Sequence, residues 1–340
     1  MCKKNILLTS VFIFVISSCG GGGGGSTAGA PQQNSTTPAP APAPTQTPAP
    51  SASPSPGLIT SNLTAQAKGT INGEMSYKEI DREFILYVPT SYDSSAKQPL
   101  VFNFHGYGSN ANEQMNYGDL RPQADANGFI LVHPEALDDI GGRSYWNMGG
   151  WSISVHDDLE FIENLINLLM DKYSVNAERI YSTGMSNGGF FSFHLACNLN
   201  SSFAAIASVT GSMSYETYES CKARKPTPVI QIHGSNDTVV PYSGVDSIMK
   251  PVMEVMDYWK INNSCNDYSL NTDDRLYGGY YYTDIYTYDG CLNGTQNIHL
   301  FINGAGHIWP GSVYEGLSDP VASQRIWDFF LKYDINGVIQ

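Results

Sequence analysis

The chain has 340 residues, with 18 Lys and Arg against 32 Asp and Glu and a formal net charge of −14. That acidic balance argues against nucleic acid as a partner and against electrostatic adhesion to anionic lipid. A neutral or weakly charged ligand suits it better, and the length suits one sizeable α/β domain behind a non-globular leader.

Residues 1–18 read as a signal peptide. Lys3 and Lys4 supply the charged start, and residues 6–16 form an apolar run too short to span a bilayer as a mature helix. The run ends in Ile16-Ser17-Ser18-Cys19, small residues just before a cysteine. This resembles the lipobox of bacterial lipoproteins, in which the cysteine is lipidated and becomes the first mature residue. Cys19 is therefore the expected lipid anchor, and Gly20 in place of an aspartate favours the outer membrane. Once Lys3 and Lys4 are removed, 16 basic residues face 32 acidic ones, a net charge of −16. Residues 19–57 then form a stalk, Gly-rich at first and alternating Pro and Ala over 38–50. Such a segment extends as polyproline II at roughly 3.1 Å per residue and buries nothing. The expected protein is an exported monomer, periplasmic or surface-facing, that touches membrane only through Cys19.

Residues 58–340 carry the globular pattern. Short apolar runs at 84–88, 100–104 and 129–132 predict buried strands, followed by strands at 180–181, 204–209, 229–232 and 298–302. Residues 157–173 predict an amphipathic helix, with Leu159, Ile162, Ile166 and Leu169 on one face and Asp157 and Asp158 at its start. Further helices are expected over 190–198 and 321–333. Strands alternating with helices predict a mostly parallel central sheet covered on both faces. Residues 266–290 break the rhythm with Tyr277, Tyr280, Tyr281, Tyr282, Tyr286 and Tyr288 among glycines and threonines, and predict a β-hairpin near the mouth of the site. Cys197, Cys221, Cys265 and Cys291 allow three pairings, and the sequential one is favoured. Each such bridge closes a loop of about 25 residues and contributes roughly 3 kcal/mol in the chain-entropy model. No C-x-x-C and no histidine at ligand spacing accompanies them, so neither metal nor cofactor is expected.

The chemistry concentrates in Gly184-Met185-Ser186-Asn187-Gly188, set between a β-prone lead-in and a helix-compatible stretch. This is G-x-S-x-G in its strand–turn–helix setting, where glycines let the serine stand at the apex of a tight turn. Serine is a poor nucleophile at neutral pH and needs a base, which in turn needs an orienting carboxylate. Both follow in the order expected of an α/β-hydrolase, each in a loop after a predicted strand. Asp237 lies in His233-Gly-Ser-Asn-Asp237-Thr-Val-Val-Pro-Tyr242, and His307 in Asn303-Gly-Ala-Gly-His307-Ile-Trp-Pro-Gly311. His105 and His233 precede glycines at strand ends and read as structural. His133 is followed by Pro134 and lacks a glycine-flexed loop, while His156, His194 and His299 lie in or beside predicted helices and strands and read as packing or surface residues. Asp246 and Asp284 do not directly follow a predicted sheet strand, while Asp119 and Asp125 precede the serine. The developing oxyanion needs backbone donors, for which the N–H groups of Asn187 and of Tyr107, in His105-Gly-Tyr-Gly108, are the candidates.

Taken with Trp146-Asn147 and Asp157-Asp158, these motifs resemble the secreted polyhydroxybutyrate depolymerase and feruloyl esterase group over about residues 75–333. The resemblance implies an α/β-hydrolase fold, a Ser186–Asp237–His307 triad, an oxyanion hole at Tyr107 and Asn187, and the two sequential disulfides. It implies a serine ester hydrolase acting on a small or polymeric ester. Many depolymerases carry cysteine where Tyr107 stands and alanine or serine where Asn187 stands, so the Ser-Asn-Gly-Gly form looks more like the feruloyl-esterase side. Trp146, Trp151 and Trp309 are candidate walls for an acyl group. The alternatives are a non-catalytic polymer-binding lipoprotein on the same fold, and a serine peptidase or acyltransferase.

Overall fold

In a computed structural model, residues 59–149, 154–273, 282–312, 314 and 321–339 are described. Trp151, Cys19, the leader and the tyrosines at 277, 280 and 281 lie outside them. Burial separates two kinds of strand. β2 (Gly69–Tyr77) and β3 (Ile80–Val88) alternate buried and exposed positions, as strands with one covered face must. By contrast, β4 (Gln98–Phe104), β5 (Ile130–Pro134), β7 (Ala205–Val209) and β8 (Val229–Gly234) are buried almost throughout, as apolar runs in a doubly covered parallel sheet should be. With β1 (Thr60–Ser61), β6 (Val175–Gly184), β9 (Asp267–Asp273), β10 (Thr283–Asp289) and β11 (Asn297–Ile302) they form one sheet in the order β1-β2-β3-β5-β4-β6-β7-β8-β11-β10-β9. The six strands from β5 to β11 run parallel, and antiparallel ribbons extend both edges.

Successive residues of β4 point to opposite faces, so Leu100, Phe102 and Phe104 enter one core and Val101 the other. The first core is closed by α3 (Asp158–Lys172) and α4 (Asn187–Asn198), through Phe161, Ile162, Leu165, Phe190 and Phe191. The second is closed by α2 (Arg121–Asn127) and α7 (Val321–Phe330), through Ala124, Ile326 and Trp327. The predicted long helix appears within a residue at each end. Asp157 is its N-cap, accepting from the Glu160 N–H at 3.0 Å. Among the described residues there are four further short helices, including α1 (Ala111–Tyr117), α5 (Tyr215–Ser220) and α6 (Val252–Asn262), none of which the hydrophobic pattern announces.

The tyrosine-rich segment does form a hairpin, but as a continuation of the main sheet. β10 pairs with β11 and β9 with β10. Thr283, the first residue of β10, stands opposite both Asp273, the last of β9, and Ile302, the last of β11, so the turn end of the hairpin lies at the same end of the sheet as the loop carrying His307. Tyr286 and Tyr288 pack against Tyr268 of the same hairpin, and Tyr286 also stacks on His299 of β11. Cys197–Cys221 and Cys265–Cys291 are bonded, the sequential pairing.

One ion pair lies wholly inside. Arg82 of β3 donates to Asp158 at 2.7 Å with both side chains at most 1% exposed. The guanidinium stacks 3.7 Å from the Phe161 ring centroid, and the second carboxylate oxygen accepts from the Asn147 N–H at 2.8 Å. Arg82→Met strands that carboxylate, and we expect a loss of about 3–5 kcal/mol in urea unfolding. The double variant Arg82→Met with Asp158→Leu should recover most of the loss, which separates the pair's net worth from the cost of orphaning one charge.

Acid stability follows from the buried histidines. Burial holds His105 and His194 down at about 4 and His133 and His299 at about 3, and lowers His233 also. Each stays neutral when folded and takes a proton when unfolded below its ordinary value of 6.5, so stability falls as pH drops from there. Glu135 opposes this: burial raises it to about 7, so its contribution is present in acid and lost as pH rises through neutrality. Burial raises Asp158 as well, so it acts in the same sense as Glu135. The five histidines outweigh these two carboxyls, and we expect the thermal midpoint to fall steadily from pH 6.5 to 4.5, whereas a flat profile would contradict the burial of these rings.

Candidate active site

The turn between β6 and α4 admits no side chain at its glycines. A Cβ on Gly184 would lie 2.6 Å from the Gly188 carbonyl carbon, and one on Gly188 would lie 2.2 Å from the Phe104 carbonyl oxygen. Backbone therefore packs on backbone, and Ser186 is forced to φ 54° and ψ −121°, a conformation side chains seldom adopt. The strain is held by hydrogen bonds on both sides. Ser186 N–H donates to the Val209 carbonyl at 2.9 Å, and its own carbonyl accepts from Phe190 N–H at 3.0 Å. The serine thus sits immediately before the first turn of α4, whose early N–H groups have no intrahelical acceptor. Asn187 provides the first of these.

Its side chain has a separate task. Asn187 Oδ1 accepts from Trp146 N–H at 2.8 Å and Nδ2 donates to the Trp146 carbonyl at 3.2 Å, an amide clamp on a passing strand of chain. Trp146 itself is fully buried, stacked on Phe191, with its indole N–H on the His105 carbonyl at 3.1 Å. It therefore supports the 105–108 loop from behind and does not wall the cavity. Trp309 is likewise buried, its indole N–H donating to Ser323 Oγ at 3.1 Å. Both rings were large enough to be needed by the core, and the core took them.

The 105–108 loop passes directly over the serine. A Cβ on Gly106 would lie 3.4 Å from Ser186 Cβ. Tyr107 backbone follows, with its phenol donating to Asp139 Oδ2 at 3.0 Å, and Gly108 N–H donates to the Ser144 carbonyl at 2.9 Å. His105 fixes the loop's start: one ring nitrogen lies 2.7 Å from the Gly106 carbonyl, and the other accepts from Ala136 N–H at 3.1 Å. That pattern places the proton on Nδ1, and burial keeps the ring neutral. His105 is structural, as its place in the sequence suggests.

Asp237 and His307 meet across the ends of β8 and β11. His307 Nδ1 lies 2.8 Å from Asp237 Oδ2. The other carboxylate oxygen accepts from the N–H groups of Val239 and Val240, at 2.9 and 2.8 Å. Burial pushes the Asp237 carboxyl upward, but the His307 hydrogen bond and charge and the Val240 N–H outweigh it and hold it below the usual range. The two loops interlock because Gly234 has no side chain: a Cβ there would lie 2.2 Å from the Ala305 carbonyl oxygen, to which Asn236 N–H donates at 2.9 Å. His233 accepts from the Gln231 amide and donates to the Val240 carbonyl, so it braces the loop from inside.

Ser186 and His307 open onto one cavity of about 580 Å³, together with Gly106 and Tyr107. Gln114, Tyr117, Met185, Val239 and Tyr314 also line it, with Ser109 and Glu113 at the rim, and the Tyr117 and Tyr314 rings lie 6.0 Å apart. Sequence reasoning did not nominate these residues. Gln114 and Tyr117 belong to α1, a seven-residue helix too short to show an amphipathic stripe. Val239 and Met185 were in hand as neighbours of Asp237 and Ser186. Among the described residues no group of three or more His, Cys, Asp or Glu is arranged to hold a metal ion.

The sequence profile of the phospholipase/carboxylesterase family matches residues 90–263. The bifunctional acetylxylan esterase/xylanase of Neocallimastix patriciarum is 25% identical over 270 residues, 79% of this chain but only 36% of that protein. Feruloyl esterase C of Emericella nidulans is 26% identical over 256 residues, 74% of this chain and 84% of its own length. Among solved structures, a thermostable esterase shares the fold at a TM-score of 0.53 and 16% identity, over 78% of this chain and 63% of its own. An S-formylglutathione hydrolase from Agrobacterium tumefaciens does so at 0.51 and 14% identity, over 80% of this chain and 98% of its own. With the family match spanning just over half of its 340 residues, this chain belongs to the phospholipase/carboxylesterase family of α/β-hydrolases and is by class a carboxylic ester hydrolase.

Proposed function

We propose that the protein is an exported, lipid-anchored serine esterase that removes feruloyl or acetyl groups from plant polysaccharide esters. One observation carries the mechanism. A serine at a strained apex shares an apolar cavity with a histidine whose far nitrogen is bonded to a buried carboxylate. Ser186 Oγ attacks the ester carbonyl while His307 Nε2 takes its proton. Asp237 holds the imidazole in the tautomer that leaves Nε2 free to accept, and stabilises the cation that forms. The N–H groups of Tyr107 and Asn187 receive the oxyanion, a stabilisation of about 3–4 kcal/mol per donor. His307 then protonates the leaving alcohol, and water attacks the acyl-enzyme by the same route in reverse. The substrate class is supported by the acetylxylan and feruloyl esterases that this chain resembles at 25% and 26% identity. Export is supported by two disulfides, and the anchor by the Ser17-Ser18-Cys19 motif after the apolar leader.

Ser186→Ala should retain the wild-type circular dichroism spectrum and lose hydrolysis of p-nitrophenyl acetate; comparable turnover in that variant would refute the nucleophile. Asp237→Asn keeps an acceptor for Val239 and Val240 but presents the imidazole with a neutral partner. We expect kcat to fall by roughly 10³- to 10⁴-fold with KM little changed. A panel of methyl ferulate, acetylated xylan and hydroxybutyrate oligomers assigns the substrate, and preference for the oligomers would replace the polysaccharide reading with a polyester one.

A further inference from the structure

The cavity beside Ser186 carries a buried polar group that the ester chemistry does not use. Gln114, on α1, is 3% exposed and lines the wall. One N–H of its amide is committed: Nε2 donates to Asn103 Oδ1 at 2.8 Å, and Asn103 Nδ2 donates to the Gly118 carbonyl at 2.8 Å. Gly118 closes α1, so the position of that carbonyl is fixed by the fold. A carbonyl oxygen can only accept, which forces Asn103 to turn its nitrogen toward Gly118 and its oxygen toward Gln114. Gln114 must then answer with nitrogen. Its Oε1 is left over, and among the described residues it accepts no hydrogen bond. Nearer the solvent, Ser109 Oγ donates to Glu113 Oε2 at 2.7 Å, so those two rim residues satisfy each other. A relay of two buried amides thus fixes the sign of one polar group in the pocket: it is an acceptor.

We propose that Gln114 Oε1 is a specificity-determining acceptor, selecting acyl groups that carry a hydroxyl donor over the same groups without one. The proposal rests on the esterase reading, in which this cavity receives the acyl part of the substrate. An acyl group that fills the pocket without a donor displaces water from Oε1 and leaves the buried carbonyl unpaired. One with a hydroxyl replaces the lost water bond. Hydroxylated aromatic acids and short hydroxyalkanoic acids share that chemistry, and the experiment separates them.

The test is kcat/KM of the full chain on two matched pairs of methyl esters: cinnamate against 4-hydroxycinnamate, and butyrate against 3-hydroxybutyrate. We expect the hydroxylated member of one pair to be favoured by about tenfold, and the pair that discriminates names the acyl class. Gln114→Met conserves volume and removes the acceptor, and should bring that ratio close to one. A ratio does not depend on the fraction of folded enzyme, and should the variant fail to fold, the wild-type ratios decide alone. Equal values within both pairs overturn the proposal, as does a wild-type preference that survives in Gln114→Met. Hydrolysis of none of the four esters would instead remove the esterase reading on which it rests.

Discussion

The site depends on places where backbone touches backbone. At Gly184 and Gly188 the elbow lies against the Phe104 carbonyl, and at Gly234 the Asp237 loop lies against Ala305. Any side chain at these three points would meet a carbonyl group that belongs to another strand end and cannot swing aside. The positive φ of Ser186 is a consequence of that contact. A residue in such a conformation costs on the order of 1–3 kcal/mol, which the hydrogen bonds to Val209 and from Phe190 and the burial of α4 together offset. The same contacts bring the ends of β4, β6, β8 and β11 close enough for the four loops that follow them to share one cavity.

Support for the serine arrives from a distance through a chain of mostly buried groups. Arg82 anchors Asp158, Asp158 anchors the Asn147 backbone, and the neighbouring Trp146 backbone is clamped by the Asn187 side chain. Trp146 in turn braces the His105 carbonyl under the loop that passes over Ser186. Asn187 therefore sets its backbone N–H next to the serine while its side chain fixes the segment behind it. Alanine or serine at this position retains the donor but loses the paired amide bonds. The buried ion pair, a poor source of net stability, makes sense as a positioning device at the end of this chain.

What the sequence made legible was whatever depends on local pattern. Continuous apolar runs marked the doubly covered strands, and the spacing of Leu159, Ile162, Ile166 and Leu169 marked α3 with its Asp157 cap. Glycines around Ser186, Asp237 and His307 marked loops, and chain order gave them roles. Tertiary demand was not legible. Trp146 and Trp309 are apolar and near the motifs, which is as true of core residues as of pocket walls, and only packing tells them apart. The short helix α1 is dictated by its Asn110 cap and by the cavity it borders, not by a periodic face. The hairpin was visible as a hairpin, but its pairing with β11 is a long-range contact that no window of residues contains.

The polarity of the pocket belongs to the same class of hidden information. Read singly, Asn103 and Gln114 are two buried amides, each able to donate or accept in either orientation. Their order is set by one backbone carbonyl at Gly118, which can only accept. Turning Asn103 alone would place an amide oxygen against that carbonyl and two nitrogens against each other, losing both bonds. Turning both amides would still leave an oxygen against the carbonyl. Two buried bonds, each worth about 1 kcal/mol net and more when orphaned, hold the arrangement. The orientation of the Gln114 amide is therefore set at the helix end that fixes the carbonyl, four residues further along the chain.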